Sequence, residues 1–247
     1  PLFKFTLMRP DTAAAPNPYR LQRVEDFLAR VGDGLLTLSC RESNIAPDSL
    51  LAIDRRRAEE LKAGDASWIT QFERGVSQAL IKQYTNSVNT YTAAIDRNPS
   101  NPFLYFNRST TRAEMIDFIS SIDNSYQRIT IDSDPANRLN NNSKRTYSYD
   151  EAVADLNKAL KLFPDFAHAY YNRANLQALS GRLPEAFEDY TKAIGLNPSF
   201  AEAYYNRGIV QIFMKDTRKG CLDLSKAGEL GITEAYEVLK RYAQTQD

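Results

Sequence analysis

Apolar and polar positions recur at a fixed interval along the second half of the chain. Ala169-Tyr170-Tyr171-Asn172-Arg173-Ala174 returns 34 residues later as Ala203-Tyr204-Tyr205-Asn206-Arg207-Gly208. Asp189, Lys192-Ala193 and Phe163-Pro164 return at the same interval as Asp223, Lys226-Ala227 and Asn197-Pro198. Each unit holds two stretches with apolar residues at helical spacing, separated by a short turn, and a proline follows the second stretch. The pattern predicts pairs of amphipathic helices, with the small residues Ala174, Gly208, Ala186 and Ala193 allowing close contact between them.

The interval continues upstream, since Arg74-Gly75 and Arg108-Ser109 are again 34 residues apart, whereas Arg108 and Arg173 are 65 apart. The excess of 31 residues marks an insertion in the second unit. Ala152, Asp155 and Lys158-Ala159 still match their counterparts, so the insertion precedes the second helix of that unit, at about 120–148. The organisation expected is an N-terminal extension (1–66), four repeats (67–100, 101–165 with the insertion, 166–199 and 200–232) and a capping helix with a tail (233–247). In the cap, Tyr236, Leu239 and Tyr242 share one helical stripe.

Over residues 67–232 the chain resembles the tetratricopeptide repeat family, in its bacterial form with Tyr-Tyr-Asn-Arg-Gly repeats. The residues that carry the resemblance are Tyr170, Arg173-Ala174, Gln177, Ala186, Tyr190 and Pro198 in the third repeat. In the fourth they are Tyr204, Arg207-Gly208, Gln211, Gly220 and Leu224, with Ile232 in place of the proline. Arg for Leu and Gln for Tyr are departures from the family pattern that change what lines the helix contact. The resemblance implies an all-α, right-handed superhelix serving as a noncatalytic protein-protein interaction scaffold.

It also implies a concave groove lined by the first helix of each repeat. The matching positions are Ile69, Phe72 and Val76, then Phe103, Phe106 and Thr110, then His168, Tyr171 and Asn175, and finally Glu202, Tyr205, Ile209 and Phe213. Family members that clamp a peptide's terminal carboxylate use lysines that are missing here. The expected ligand is therefore a peptide or protein segment held by apolar side chains, for which aromatic residues are efficient anchors. The alternative is a structural or self-assembly module whose groove is occupied by its own N-terminal segment or by the insertion, because an exposed apolar stripe of this size must be covered by something.

Two charged series share the period. Arg108, Arg173 and Arg207 have Asp155, Asp189 and Asp223 as counterparts, read as ion pairs between the first and second helices of each repeat. A pair repeated in every unit describes the scaffold rather than one site. The first repeat has Arg74 but Thr90 where the aspartate should stand, so it is expected to lack the pair.

Outside the period, Phe3, Phe5 and Leu7 alternate with Lys4 and Thr6 as in a short strand. Tyr19 to Val31 reads as a helix, Leu35 to Cys40 as a second strand-like run, and Pro47-Asp48 opens a helix carrying Arg55-Arg56-Arg57, read as a solvated face. Ile129-Thr130-Ile131 is β-like and introduces a loop through the Asn-rich stretch 137–143.

Composition narrows the function. Lys+Arg and Asp+Glu are both 31, so the formal net charge is zero and no basic field favours nucleic acid. His168 is the single imidazole and has no nucleophile beside it, so it reads as a groove residue. Cys221 aligns with the apolar Phe187 and Val153 and reads as core, and Cys40 is too distant from it for a CxxC pair. No GxGxxG, GxSxG, HExxH or P-loop motif occurs. No cofactor, metal, small-molecule substrate or membrane association is expected, and a soluble cytoplasmic or periplasmic chain is. The sequence opens on Pro1 without an initiator Met, as a trimmed or processed chain does.

Overall fold

The computed structural model describes residues 47–62, 64, 67–133 and 148–243. Ten helices follow one another there, with no strand among the described residues: α1 (Pro47–Lys62), α2 (Trp68–Leu80), α3 (Tyr84–Arg97), α4 (Pro102–Ser133), α5 (Asp150–Leu162), α6 (Ala167–Leu179), α7 (Leu183–Leu196), α8 (Ala201–Phe213), α9 (Thr217–Glu229) and α10 (Glu234–Ala243). Each packs on the next, and the first helices α2, α4, α6 and α8 also touch in succession, so the hairpins stack into an α-solenoid. The two expected strands before Pro47, the helix from Tyr19, Cys40 and the Asn-rich stretch lie outside the described residues.

The two turn types of the repeat have separate chemical causes. Between first and second helices the chain must enter the left-handed region, which it does at Lys82 (φ 63°), Gly181 (φ 76°) and Lys215 (φ 67°). There the N–H of the residue after the turn returns to a glutamine carbonyl one turn and a half back: Gln83 to Gln78 (2.8 Å), Arg182 to Gln177 (2.8 Å) and Asp216 to Gln211 (2.9 Å). Between second and first helices, proline ends the helix by disfavouring α geometry in the residue before it. Asn98, Phe163 and Asn197, each before a proline, have φ of −139°, −138° and −136°.

The insertion departs from the expected strand and loop. Helix α4 runs on to Ser133, so Ile129-Thr130-Ile131 is helical. The position matching Lys82 and Gly181 is Ile116, whose branched Cβ makes the left-handed turn costly, and neither Gly nor Pro occurs between Phe103 and Asp134. A helix already started by packing propagates cheaply through residues of β preference. Pro135 is the first residue after it that opposes a helix.

The core repeats with the sequence. Ala94, Ala159, Ala193 and Ala227 are completely buried on the second helices, beside Tyr91, Leu156, Tyr190 and Leu224. Burying each of these larger side chains contributes about 1.5–3 kcal/mol. Alanine in every unit lets adjacent helices approach closely. At the C-terminal end, α10 seals the last pair with Ala235, Val238 and Leu239, joined by Ile232. Tyr236 belongs to that stripe only in part: its ring lies against Gly228 while the residue is exposed. Cys221 is half-buried rather than a core filler.

Candidate functional site

The arginine series organises the stack. Arg108 Nε and Nη2 donate to Asp155 Oδ2 and Oδ1 at 2.9 and 2.6 Å. Arg173 holds Asp189 at 2.6 and 2.7 Å, and Arg207 holds Asp223 at 2.7 and 2.8 Å, through the same nitrogens. The third nitrogen, Nη1, reaches back to the preceding second helix: Arg108 to Thr92 Oγ1 (2.9 Å), Arg173 to Asn157 Oδ1 (2.7 Å) and Arg207 to Thr191 Oγ1 (3.1 Å). Every guanidinium therefore ties three helices together. Each also lies over an aromatic ring of its own helix, Tyr105, Tyr170 or Tyr204, at 5.8, 5.5 and 5.6 Å from the centroid. The Thr92, Asn157 and Thr191 partners share the repeat interval, so the same periodicity could have revealed them. Arg112, which pairs with Asp155 and with Glu151 at 3.0 Å, has no periodic counterpart and was not legible.

The first repeat solves the same problem differently. Thr90 donates to Gln78 Oε1 at 2.8 Å, and Arg74 finds its carboxylate in α1, where Asp54 Oδ1 accepts from Arg74 Nε at 2.9 Å and from Gln78 Nε2 at 3.0 Å. Helix α1 thus stands where the second helix of a preceding repeat would stand. Of the arginine triplet, Arg55 and Arg56 are exposed, but Arg57 turns inward to Glu73 and to Glu60 Oε2 (2.6 Å). Glu73 occupies the position of Asn107, Asn172 and Asn206 in the other repeats. Burial pushes its carboxyl above the ordinary range, and Arg57 and Arg56 offset this only in part.

The positions assigned to a concave groove divide into three groups. Phe72, Val76, Tyr171 and Asn175 are buried, because the following first helix closes over them. Tyr171, 1 % exposed, packs on Phe200 at 4.7 Å between ring centroids, and its hydroxyl accepts from Asn206 Nδ2 at 3.1 Å. Asn175 Oδ1 accepts from Tyr190 Oη at 2.5 Å and from Asn206 Nδ2 at 3.0 Å. The same tie one repeat earlier is the single bond from Asn172 Nδ2 to Thr110 Oγ1 (3.4 Å).

A second group, Ile69, Phe103, Phe106, Thr110, His168, Glu202, Tyr205 and Ile209, is half-buried. Its aromatic members form a ladder across the repeats, Phe106 to Phe166 at 4.7 Å, Phe103 to Phe166 at 5.2 Å and His168 to Phe200 at 5.0 Å. Tyr205 and Ile209 pack on the cluster that includes Ile232 and Ala235. Phe213 alone of these positions, at the end of α8, is exposed, at 42 %, with Met214 beside it.

Successive helices reverse direction, so the C-terminal ends of α2, α4, α6 and α8 lie along one edge. Phe213 and Met214 stand at that edge on α8, and Phe118 and Ile119, also exposed, stand where α4 begins to run past its neighbours. Phe118 touches Tyr84 at 5.7 Å, and Asp117 Oδ1 accepts from the Tyr149 hydroxyl at 3.1 Å. Burial and the Asp117 charge push the Tyr149 phenol up to about 12. No group of three or more metal-ligating side chains occurs among the described residues. No helix there is long and apolar enough to cross a membrane.

These features define a solenoid of stacked helical hairpins. Residues 148–181 and 178–212 match the family model for the TPR repeat, each match pairing a second helix with the first helix of the next unit. Residues 148–212 are therefore TPR repeats, and the rest of the described stack shares their hairpin fold. Among solved structures it is similar to YrrB, described as a TPR protein with an unusual peptide-binding site, at 14% identity and a TM-score of 0.57, covering 92% of this chain and 100% of that one. It is also similar to MamA at 18% identity and a TM-score of 0.55, covering 74% and 89%. A MamA fragment (41-end) from Desulfovibrio magneticus RS-1 gives 16% identity and a TM-score of 0.57, covering 86% and 92%. No curated protein matches the chain.

Proposed function

We propose that the four repeats within 67–232 form a noncatalytic interaction module that holds a peptide or protein segment against the concave face, along the edge marked by Phe118, Ile119, Phe213 and Met214. The observation that carries the reading is the exposure of these four large apolar side chains in α4 and at the end of α8, in a protein whose other groove aromatics are buried or half-buried. A rigid stack presents such a surface without ordering it on binding, which lowers the entropic cost. The peptide-binding site named for YrrB is in keeping with this use of the fold. Neither nucleic acid nor a small-molecule substrate belongs to the proposal.

The test is affinity capture from a native lysate with wild type and with a Phe213→Asp, Met214→Asp variant whose helicity is unchanged by circular dichroism. A protein lost only with the variant supports the reading. Equal capture by both removes the edge from the site.

A further inference from the structure

Lysine stands where the backbone least favours a side chain. Lys82 and Lys215 occupy left-handed positions, with φ of 63° and 67°, where the third repeat has Gly181. Such strain costs stability and persists where the side chain is put to use. Both lysines are exposed, and neither forms an ion pair among the described residues. Each also accompanies exposed apolar side chains. Lys215 directly follows Phe213 and Met214, and Lys82 lies two residues before Tyr84, whose ring meets Phe118 at 5.7 Å. At the turn that carries Gly181 no large apolar side chain is exposed.

The carboxylates beside these groups are already engaged. Asp117 accepts from the Tyr149 hydroxyl at 3.1 Å, and Asp216 holds Lys219 at 2.8 Å. Asp150 lies 2.6 Å from Ser148 Oγ and 3.8 Å from Arg182, and Glu114, half-buried on α4, is engaged as well. Glu185, exposed in the first turn of α7, belongs to the Gly181 turn and not to either lysine. The charge left beside the two apolar pairs is therefore positive, and Arg218, exposed in the first turn of α9, adds to it. Positive charge next to exposed apolar surface is complementary to carboxylates next to apolar side chains. A flat anionic surface would press on Glu185 and on Asp150, whose side chain is 81 % exposed, whereas a narrow segment can set its carboxylates at the lysines alone. Helices α4 and α8 are two spacings of about 10 Å apart, which about six residues of extended chain bridge at about 3.3 Å each.

We propose that the ligand of this edge is an acidic amphipathic protein segment, with bulky apolar side chains on Phe118, Ile119, Phe213 and Met214 and carboxylates at Lys82 and Lys215. Recognition runs through side chains along the segment and requires no free terminal carboxylate. The inference rests on the reading of the edge as a binding surface.

The test uses the full chain. Random dodecapeptides, fused to phage through their C-termini, are selected on it, and the most enriched one is resynthesised, labelled and titrated. Asp and Glu interspersed with Phe, Leu or Trp are the expected sequences. Their affinity should fall about tenfold in a Lys82→Gly, Lys215→Gly variant, the loss of two exposed charge pairs, and should weaken as salt is raised. Glycine suits the left-handed backbone at both positions, so such a loss is not unfolding. Phe213→Asp with Met214→Asp should abolish binding. Enriched peptides that are neutral or basic, or an affinity unchanged in the lysine variant, overturn the proposal and leave the binding edge standing. No enrichment, or binding indifferent to Phe213→Asp with Met214→Asp, overturns the edge and the proposal together. Sedimentation with phosphatidylserine vesicles that the lysine variant loses, without any enriched peptide, assigns the lysines to a membrane and overturns the proposal as well.

Discussion

Arg173 and Asp189, on α6 and α7, are joined by two parallel hydrogen bonds of 2.6 and 2.7 Å, with the aspartate almost wholly enclosed. A paired buried charge becomes a liability when its partner is removed. Asp189→Ala is expected to destabilise the fold by about 2–3 kcal/mol, since it leaves the guanidinium with only Asn157 and the Tyr170 ring. Replacing both residues by apolar ones of similar size, Arg173→Met with Asp189→Leu, should recover most of that loss. Urea unfolding followed by circular dichroism decides it, and a double variant as unstable as the single one would contradict the account.

Gly208 and Gly220 bring the backbones of α8 and α9 into contact. A Cβ at Gly220 would lie 2.6 Å from the Gly208 carbonyl oxygen, which is backbone and cannot swing aside. Gly220→Ala should therefore lower stability, because overpacking costs about 1–3 kcal/mol and outweighs the gain of about 1 kcal/mol in helix propensity. Gly195 on α7 has nothing within 4 Å of such an atom. Gly195→Ala should raise the thermal midpoint, which makes it the internal control.

Lys215 carries φ of 67° at the position where the neighbouring repeat has Gly181. An L side chain is strained there and glycine is not. Lys215→Gly is expected to stabilise by about 0.5–1 kcal/mol, read as an increase in the midpoint of denaturant unfolding. A decrease would show that the lysine side chain contributes more than its backbone conformation loses.

Glu73 titrates above its ordinary value of 4.5 because it is buried against α1. The folded state then binds this proton more tightly than the unfolded state, so stability rises as pH falls through the raised value and the benefit is complete below 4.5. Glu73→Gln removes the buried charge while Arg57 keeps Glu60. The variant should be more stable than wild type at pH 7, with the gap closing toward pH 4.5. A gap independent of pH in paired unfolding curves would assign the effect to packing rather than charge.

Helix pairing was legible because the interval of 34 residues places chemically equivalent side chains at equivalent positions, and the turns after α3, α5 and α7 declare themselves through proline; the left-handed turns do not, since lysine stands at two of their three positions. The Arg and Asp series could be matched for the same reason. The groove was less legible. A position on the first helix is the same in sequence whether it faces water or the next helix, and Tyr171 and Phe213, both assigned to the groove, end at opposite extremes of exposure. Nor could periodicity reveal Asp54 and Arg57, since α1 lies outside the repeat and enters the first interface only by packing.

The order of residues by itself determined the repeat, its helices, its turns and the side chains that fill each internal contact, because these depend on neighbours at fixed spacing along one chain. Tertiary structure decided what occupies the surfaces where periodicity ends. It made α1 the substitute for the second helix of a preceding repeat, carried α4 past its expected turn through Ile129 and Ile131, and left Phe118, Ile119, Phe213 and Met214 exposed. Those outcomes turn on which side chains a distant helix happens to cover, and burial of that kind is a property of the assembled stack rather than of any local pattern.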